Sequence, residues 1–266
     1  MSTASRTADR PLACIVMAGG KGTRMRSALP KVLHPIWGRP LLGWVIAAVR
    51  EAGAERVVVV VPPDAAEAVT AVAGDAETVV QHDQLGTGDA VRCAMPPLEG
   101  FTGDVLIVSG DTPLLTADLL RGLVDAHLED GAAATAATFR IDQPGSYGRV
   151  IREAAGIRIV EAKDATPAEL EIDEVNAGLY VFDADALRPA LAGLTNDNAQ
   201  GEYYLPDVVP AIAAAGGRAS ASLIDDASLL LGVNTRVELA EAARIIRDRI
   251  IEDHLLAGAG IVDPAT

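Results

Sequence analysis

The sequence predicts an α/β protein with a mixed, mainly parallel, doubly wound sheet. Three observations carry this reading. Strand-length apolar runs alternate with amphipathic helical stretches over the first half of the chain. The runs Leu12–Met17, Val57–Val61 and Asp104–Ser109 are nearly continuous rather than alternating, as strands covered on both faces must be. Two of them lead straight into glycine-bearing turns, Met17 to Gly22 and Ser109 to Asp111. In such sheets, ligands bind beyond the carboxyl ends of the strands.

In chain order, the polar stretch 1–10 reads as a disordered tail, followed by the strand Leu12–Met17. Pro30 and Pro35 prevent a long helix from following directly. Pro40 to Ala52 has apolar residues at helical spacing and stops at Gly53. Val57–Val61 is the next strand, then a helix over about Ala65–Ala73 and a short strand at Glu77–Gln81. Asp104–Ser109 is followed by a helix over Thr116–Glu129, with Thr116 as its cap. From about residue 132 the texture changes. Strand-like runs at Ala132–Ile141, Arg149–Glu153, Ile157–Ala162 and Glu174–Phe182 follow without long helices between them. This predicts a more antiparallel half rather than a separate domain. Leu205–Ala215 returns to helix and Ala219–Ile224 to strand. The last helix, Thr235–Leu256, opens on a capping box, Thr235-x-x-Glu238. The expected organisation is one domain over 11–257, with a first half at about 11–131, a second at about 132–234, the helix at 235–257 and a tail at 258–266.

Bulk properties narrow the function. The formal charge of −15 argues against nonspecific binding to nucleic acid or anionic membranes. No apolar run reaches membrane-span length and the start lacks a signal-peptide core, so a soluble cytoplasmic protein is expected. Cys14 and Cys93 show no metal-ligand spacing and read as buried free thiols. The four histidines are scattered, without the HExxH pattern, and no Gly-x-Ser-x-Gly elbow occurs.

Against that acidic background, no acidic residue occurs between Asp9 and Glu51. Within this stretch, Gly19, Gly20 and Gly22 are joined by Lys21, Arg24, Arg26 and Lys31. Successive backbone N–H groups in a glycine turn form an anion cradle, and the side-chain cations add to it. Neither familiar phosphate motif fits. A P-loop would need glycine at Ile15, and a dinucleotide fingerprint would need it at Met25. Asp111, a carboxylate at a strand end, suits Mg²⁺, which takes one or two protein oxygens and completes its shell with phosphate and water. The second glycine segment, Gln84 to Ala90, is expected to bring backbone amides against a base or phosphate. Gln81, just before this segment, carries an amide that can donate and accept at once. The polar block Asn196–Tyr204 suits a loop near a hydroxyl-rich ligand.

Several segments together carry a resemblance. They are the loop Met17 to Met25, Leu-Pro-Lys-Val-Leu-His at 29–34, Leu-Gly-Thr-Gly at 85–88 and Gly-Asp-x-Pro-Leu at 110–114. Tyr-Gly-Arg at 147–149, Lys-Asp-Ala-Thr at 163–166, Val-Asn-Ala-Gly at 175–178, Asn-Ala-Gln-Gly-Glu-Tyr-Tyr at 198–204 and Gly-Val-Asn at 232–234 follow. In this order the chain closely resembles the uridylyltransferase half of the bifunctional N-acetylglucosamine-1-phosphate uridylyltransferase / glucosamine-1-phosphate acetyltransferase family. The resemblance implies a Rossmann-like nucleotidyltransferase (nucleotide-diphospho-sugar transferase) fold. It implies that UTP and N-acetylglucosamine 1-phosphate are joined into UDP-N-acetylglucosamine with loss of pyrophosphate, for cell-wall precursor synthesis.

By the same resemblance, Arg24 and Lys31 act catalytically on the phosphates, and Asp111 and Asn234 ligate Mg²⁺. Met17, Ala18, Gly19, Gly20, Gln81, Gly86 and Thr87 bind the nucleotide. Ser109, Gly110, Asp111, Gly148, Glu161, Asn176 and Asn234 bind substrate, with Gly148, Glu161 and Asn176 on the sugar. The chain departs from the family pattern in having Gly19 for a usual Ala, Asp89 for a usual His, Ser146 for a usual Gly and Ala162 for a residue commonly His or Gln. Ser109 stands where some members carry Tyr. Ser146 and Ala162 flank the sugar side and bear on the choice of sugar. The family's acetyltransferase half is a trimer-forming β-helix of hexapeptide repeats, and this chain ends about where those would begin. The expectation is a monomer without acetyl-CoA-dependent activity. The rival readings are another sugar-1-phosphate uridylyl- or thymidylyltransferase and a non-catalytic nucleotide-binding regulatory domain, the latter disfavoured by the presence of both Asp111 and Asn234.

Overall fold

The computed structural model describes residues 10–20, 22–153 and 156–264. The expected N-terminal tail, apart from Arg10, and Lys21 lie outside the described residues. Five consecutive valines make the strand Arg56–Val61 (β4) buried along almost its whole length. It lies parallel to β1 (Leu12–Met17), which lies parallel in turn to β6 (Asp104–Ser109). The strand β5 (Glu77–Val80) adds to the outer side of β4, also in parallel. The short β2 (Pro35–Ile36) and β3 (Arg39–Pro40) pair only with each other.

Beyond β6 the sheet turns antiparallel, as the change in texture predicts. The ten-residue β10 (Glu174–Asp183) runs antiparallel to β6 and to β7 (Ala134–Arg140). The strand β11 (Ala219–Leu223) closes the edge parallel to β7. The hairpin of β8 (Arg149–Glu153) and β9 (Gly156–Val160) joins at β10. The path across the sheet is β11-β7-β10-β6-β1-β4-β5.

Alternating side chains of the central strands feed two cores. Cys14, Val16, Val59 and Leu106 face one, against α1 (Leu41–Glu51), α2 (Ala66–Ala73) and α4 (Ala117–Glu129). Ala13, Ile15, Val58 and Ile107 face the other, against α3 (Thr87–Ala94), α6 (Ala184–Ala192) and α7 (Val208–Ala214). This period-two partition gives three layers, helices on both faces of one sheet. Thr116 caps α4 by accepting from the Leu119 N–H. The four-residue α5 (Pro167–Leu170) and the final α8 (Arg236–Leu256) both open on complete capping boxes. Caps of this kind contribute about 1 kcal/mol each. Cys14 is buried and its thiol pKa is pushed up by burial; Cys93, expected to be buried too, is only half-buried on α3. Among the described residues no helix is long and apolar enough to cross a membrane.

A third, smaller apolar cluster positions the site. Met25, Ile36, Leu41, Leu114, Val233, Ala242 and Ile246 pack together. It ties the glycine loop, the segment after β6 and the start of α8 into one unit. This gives a physical reason for Met25 at the position where a dinucleotide fingerprint has glycine. The side chain, 1% exposed, anchors the loop to α8 instead of opening a helix on the phosphate. Arg236 reinforces the tie by donating from Nε to the Met25 carbonyl at 3.2 Å.

Candidate active site

Met17 to Gly20, Gln81 and Ser109 to Asp111 lie at the carboxyl ends of β1, β5 and β6. They meet because these strands run parallel. The Gly110 N–H donates to the Met17 carbonyl at 2.9 Å, and that of Ala18 to the Val60 carbonyl at 2.9 Å. Ala18 is buried and forms the floor beneath the loop, rather than a surface of the cleft.

Arg24, Lys31, Asp111 and Asn234 meet from separated stretches of chain. Lys31 forms an ion pair with Asp111, and its Nζ also donates to Asn234 Oδ1 at 3.0 Å. Arg24 Nη2 donates to the same oxygen at 2.9 Å. The Lys31 and Asp111 side chains are each only 12% exposed, so their attraction is little screened by solvent. Backbone bonds fix the arrangement. The Val233 N–H donates to the Asp111 carbonyl at 2.8 Å, and the Asn234 and Thr235 N–H groups both reach Glu238 Oε2 at 2.7 Å. Thus the capping box of α8 also orients a site residue. Gly22 has φ 58°, and a Cβ there would stand 2.7 Å from Lys31 Cβ. A side chain at that position would push the lysine stem away.

A cleft of about 390 Å³ is lined by Met17, Gly19, Gly20, Gln81, Gly86, Thr87 and Ser109, together with Gln84, Ala90 and Glu202. Gly86 has φ 110°, and a Cβ there would lie 2.7 Å from the Tyr203 carbonyl. The close approach lets the Gly88 N–H reach that same carbonyl at 2.7 Å, and Tyr203 N–H reach Leu85 O at 2.8 Å. Thr87 Oγ1 accepts from the Leu205 N–H at 3.0 Å, so this hydroxyl also holds the 203–205 segment. Gln84 and Glu202 belong to segments singled out in the sequence, without a role of their own assigned there. Gln84 donates to the Gly19 carbonyl at 2.6 Å, and Glu202 belongs to the polar block whose composition pointed to a ligand-facing loop. Gln81 lies at the end of β5, facing this cleft. Its Nε2 donates to the Gly86 carbonyl at 3.0 Å and to Asp89 Oδ2 at 2.7 Å, which occupies both of its hydrogens.

Gly148, Glu161 and Asn176 also come together. The Asn176 N–H donates to the Gly148 carbonyl at 2.9 Å, and a Cβ on Gly148 would be 3.4 Å from Glu161 Oε1. The Asn176 side chain is held at both ends, by the Tyr180 hydroxyl at 2.6 Å and the Gly178 N–H at 3.1 Å. Asn176 and Tyr180 both pair with β7, and the register shifts in the residues between them. Tyr147, which precedes Gly148, packs edge-on against Phe139 with ring centroids 5.3 Å apart. Burial raises its phenol pKa, and the charges of Glu238 and Asp111 add to the rise.

Glu161 is held above the usual carboxylate range, by burial first and then by the negative charges of Asp164, Asp207 and Glu202. A carboxyl raised in this way favours the folded state below its unfolded pKa. That contribution is lost as the pH rises through the raised value. Glu161→Gln is therefore expected to raise the melting temperature at about pH 8, with the gain shrinking as the pH falls toward about 4.3, the ordinary glutamate value. Paired thermal melts across that range check this; a gain independent of pH would contradict it.

The comparisons with known proteins agree with this geometry. The family model for MobA-like NTP transferase domains matches residues 14–205. Over 258 residues the chain is 50% identical to the bifunctional protein GlmU of Pelobacter propionicus, covering 95% of this chain and 56% of that protein. It is 48% identical to the bifunctional protein GlmU of Geobacter sulfurreducens, covering 96% of this chain and 54% of the relative. For the bifunctional protein GlmU of Streptomyces coelicolor the identity is 46%, over 98% of this chain and 55% of the relative. The chain spans about half the length of the curated relatives it matches. With a family match that runs from β1 through the glycine loop and the cleft to Leu205, the chain belongs to the family of MobA-like NTP transferase domains.

Proposed function

We propose that the chain is a nucleotidylyltransferase that joins UTP and N-acetylglucosamine 1-phosphate, giving UDP-N-acetylglucosamine and pyrophosphate. The observation that carries this reading is the convergence of Arg24, Lys31, Asp111 and Asn234 beside the Gln81–Gly86 cleft. The half-length similarity to proteins named bifunctional protein GlmU supports the choice of substrates.

A phosphate oxygen of the sugar phosphate attacks the α-phosphorus of UTP and forms the new P–O bond. The bond from the α-phosphorus to the bridging oxygen breaks in line, and its electron pair leaves with pyrophosphate. Such a transfer needs positioning and charge neutralisation more than a protein base. Arg24 and Lys31 supply positive charge on the phosphate side. Gln81, Gly86 and Thr87 hold the base and ribose, while Gly148, Glu161 and Asn176 hold the sugar. Met17, Gly19 and Gly20 let the loop backbone approach the triphosphate.

The donor set fits a magnesium ion. Asp111 Oδ2 and Asn234 Oδ1 converge on a single ammonium, so one charged and one neutral oxygen already share a cation position. Among the described residues no group of three or more acidic, His or Cys side chains could hold a metal. Two protein oxygens leave room for the phosphate and water oxygens that Mg²⁺ prefers. When bound, the ion neutralises charge building up on the phosphates.

The test is pyrophosphate release from a panel of nucleoside triphosphates and sugar 1-phosphates. UTP with N-acetylglucosamine 1-phosphate is expected to give the highest kcat/KM. A clear preference for another nucleotide or sugar phosphate would overturn the assignment.

A further inference from the structure

We propose that Asp89 is a positioning residue for base selection, acting by fixing which end of the Gln81 amide faces the cleft. This rests on the uridylyltransferase reading above. A glutamine amide can be turned end for end at little cost unless its neighbours differ in hydrogen-bonding sense. Here they do. Nε2 faces two groups that can only accept, the Gly86 carbonyl at 3.0 Å and the Asp89 carboxylate at 2.7 Å. Turning the amide over would set Oε1 against both, which two acceptors forbid. Gln81 is itself buried, 4% exposed, so water does not relieve such a mismatch.

The consequence lies at the other end of the amide. Among the described residues no donor reaches Gln81 Oε1, and it lies 2.9 Å from where a Cβ on Gly19 would stand, on the wall of the cleft. The cleft therefore presents an acceptor. Uracil has a ring N–H at N3, which an acceptor receives. Cytosine has a lone pair at N3, which an acceptor repels. Asp89 thus turns an ambidextrous amide into a reader of ring N–H, without touching the base. Its carboxylate also lies 3.4 Å from the Leu85 N–H, close to the start of α3, so a purely structural role is the alternative to be excluded.

Asp89→Asn keeps the shape but offers either an oxygen or an NH₂ to Gln81, leaving only Gly86 to hold the amide. The experiment measures kcat/KM for UTP and for CTP, with N-acetylglucosamine 1-phosphate, by pyrophosphate release. The proteins are the wild type, Asp89→Asn, Gln81→Ala and the double variant. Asp89→Asn is expected to lower the UTP/CTP selectivity ratio about tenfold or more, chiefly through KM for UTP. In the Gln81→Ala background the same substitution is expected to leave the ratio unchanged. Equal losses with both nucleotides, or a further change of the ratio without Gln81, would overturn the role of Asp89 while leaving the activity intact. A wild type that consumes no pyrimidine triphosphate would overturn the uridylyltransferase reading, and this inference with it.

Discussion

Asp111→Asn is expected to lower turnover about 10²-fold or more, the scale on which a preorganised electrostatic group acts. The substitution changes almost nothing in shape. It removes the one formal negative charge at the point where Lys31 and Asn234 meet, and with it the charged oxygen proposed for Mg²⁺. The backbone of residue 111 stays bonded to Val233, and Lys31 keeps its bond to Asn234, so the fold is expected to survive. Turnover against magnesium concentration, with a thermal melt alongside, checks this. A protein that melts in one cooperative transition yet needs far more magnesium agrees with the account. Near wild-type turnover from that same folded protein would remove Asp111 from the site.

Met25→Ala is expected to destabilise the fold by about 2–4 kcal/mol, the usual cost of emptying a well-packed site. For a chain of this size that is a fall in melting temperature on the order of 5–10 °C. Met25 has no chemistry to offer, but it sits at the centre of the cluster that joins the loop to Leu114 and Val233. Met25 and Val233 adjoin the proposed site residues Arg24 and Asn234, and Leu114 lies three residues beyond Asp111. Activity is therefore expected to fall well below the melting transition, as the three segments lose their common anchor. Met25→Leu, which nearly conserves volume, is expected to cost less than about 1.5 kcal/mol and to retain most activity. Melts and initial rates for both variants decide this. An alanine variant with unaltered rates at moderate temperature would show that the cluster does not position the site.

Features set by neighbours in sequence were the legible ones. The turn after β1, Asp111 at the end of β6, the Thr116 cap and the Thr235 capping box each follow from a few adjacent residues, and each stands as expected. The change of texture near residue 132 foretold antiparallel pairing, since β10 is antiparallel to both of its long neighbours. Helix α6 was not foreseen. It carries Pro189 in its interior, a residue that weakens a helical pattern, and its start signal is Asp183, which accepts from the Asp185 and Ala186 N–H groups. The orientation of Gln81 was not legible, because it depends on how the turn at Gly86 brings Asp89 back toward the end of β5. Nor did spacing alone reveal that Met25, Leu114 and Val233 share one cluster, as they lie far apart in the chain. The resemblance named the residues of the site; the packing supplies a reason for their meeting.

The ion pair between Lys31 and Asp111 implies that, besides their separate roles, the two depend on each other for position and act as one unit. A double-mutant cycle on turnover, using Lys31→Met, Asp111→Asn and the combined variant, tests it most directly. Each single substitution is expected to cost about 10²-fold, and the pair to cost little more than the worse of the two, because either change dismantles the shared arrangement. If the losses multiply instead, to about 10⁴-fold, the two residues contribute independently and the unit does not exist.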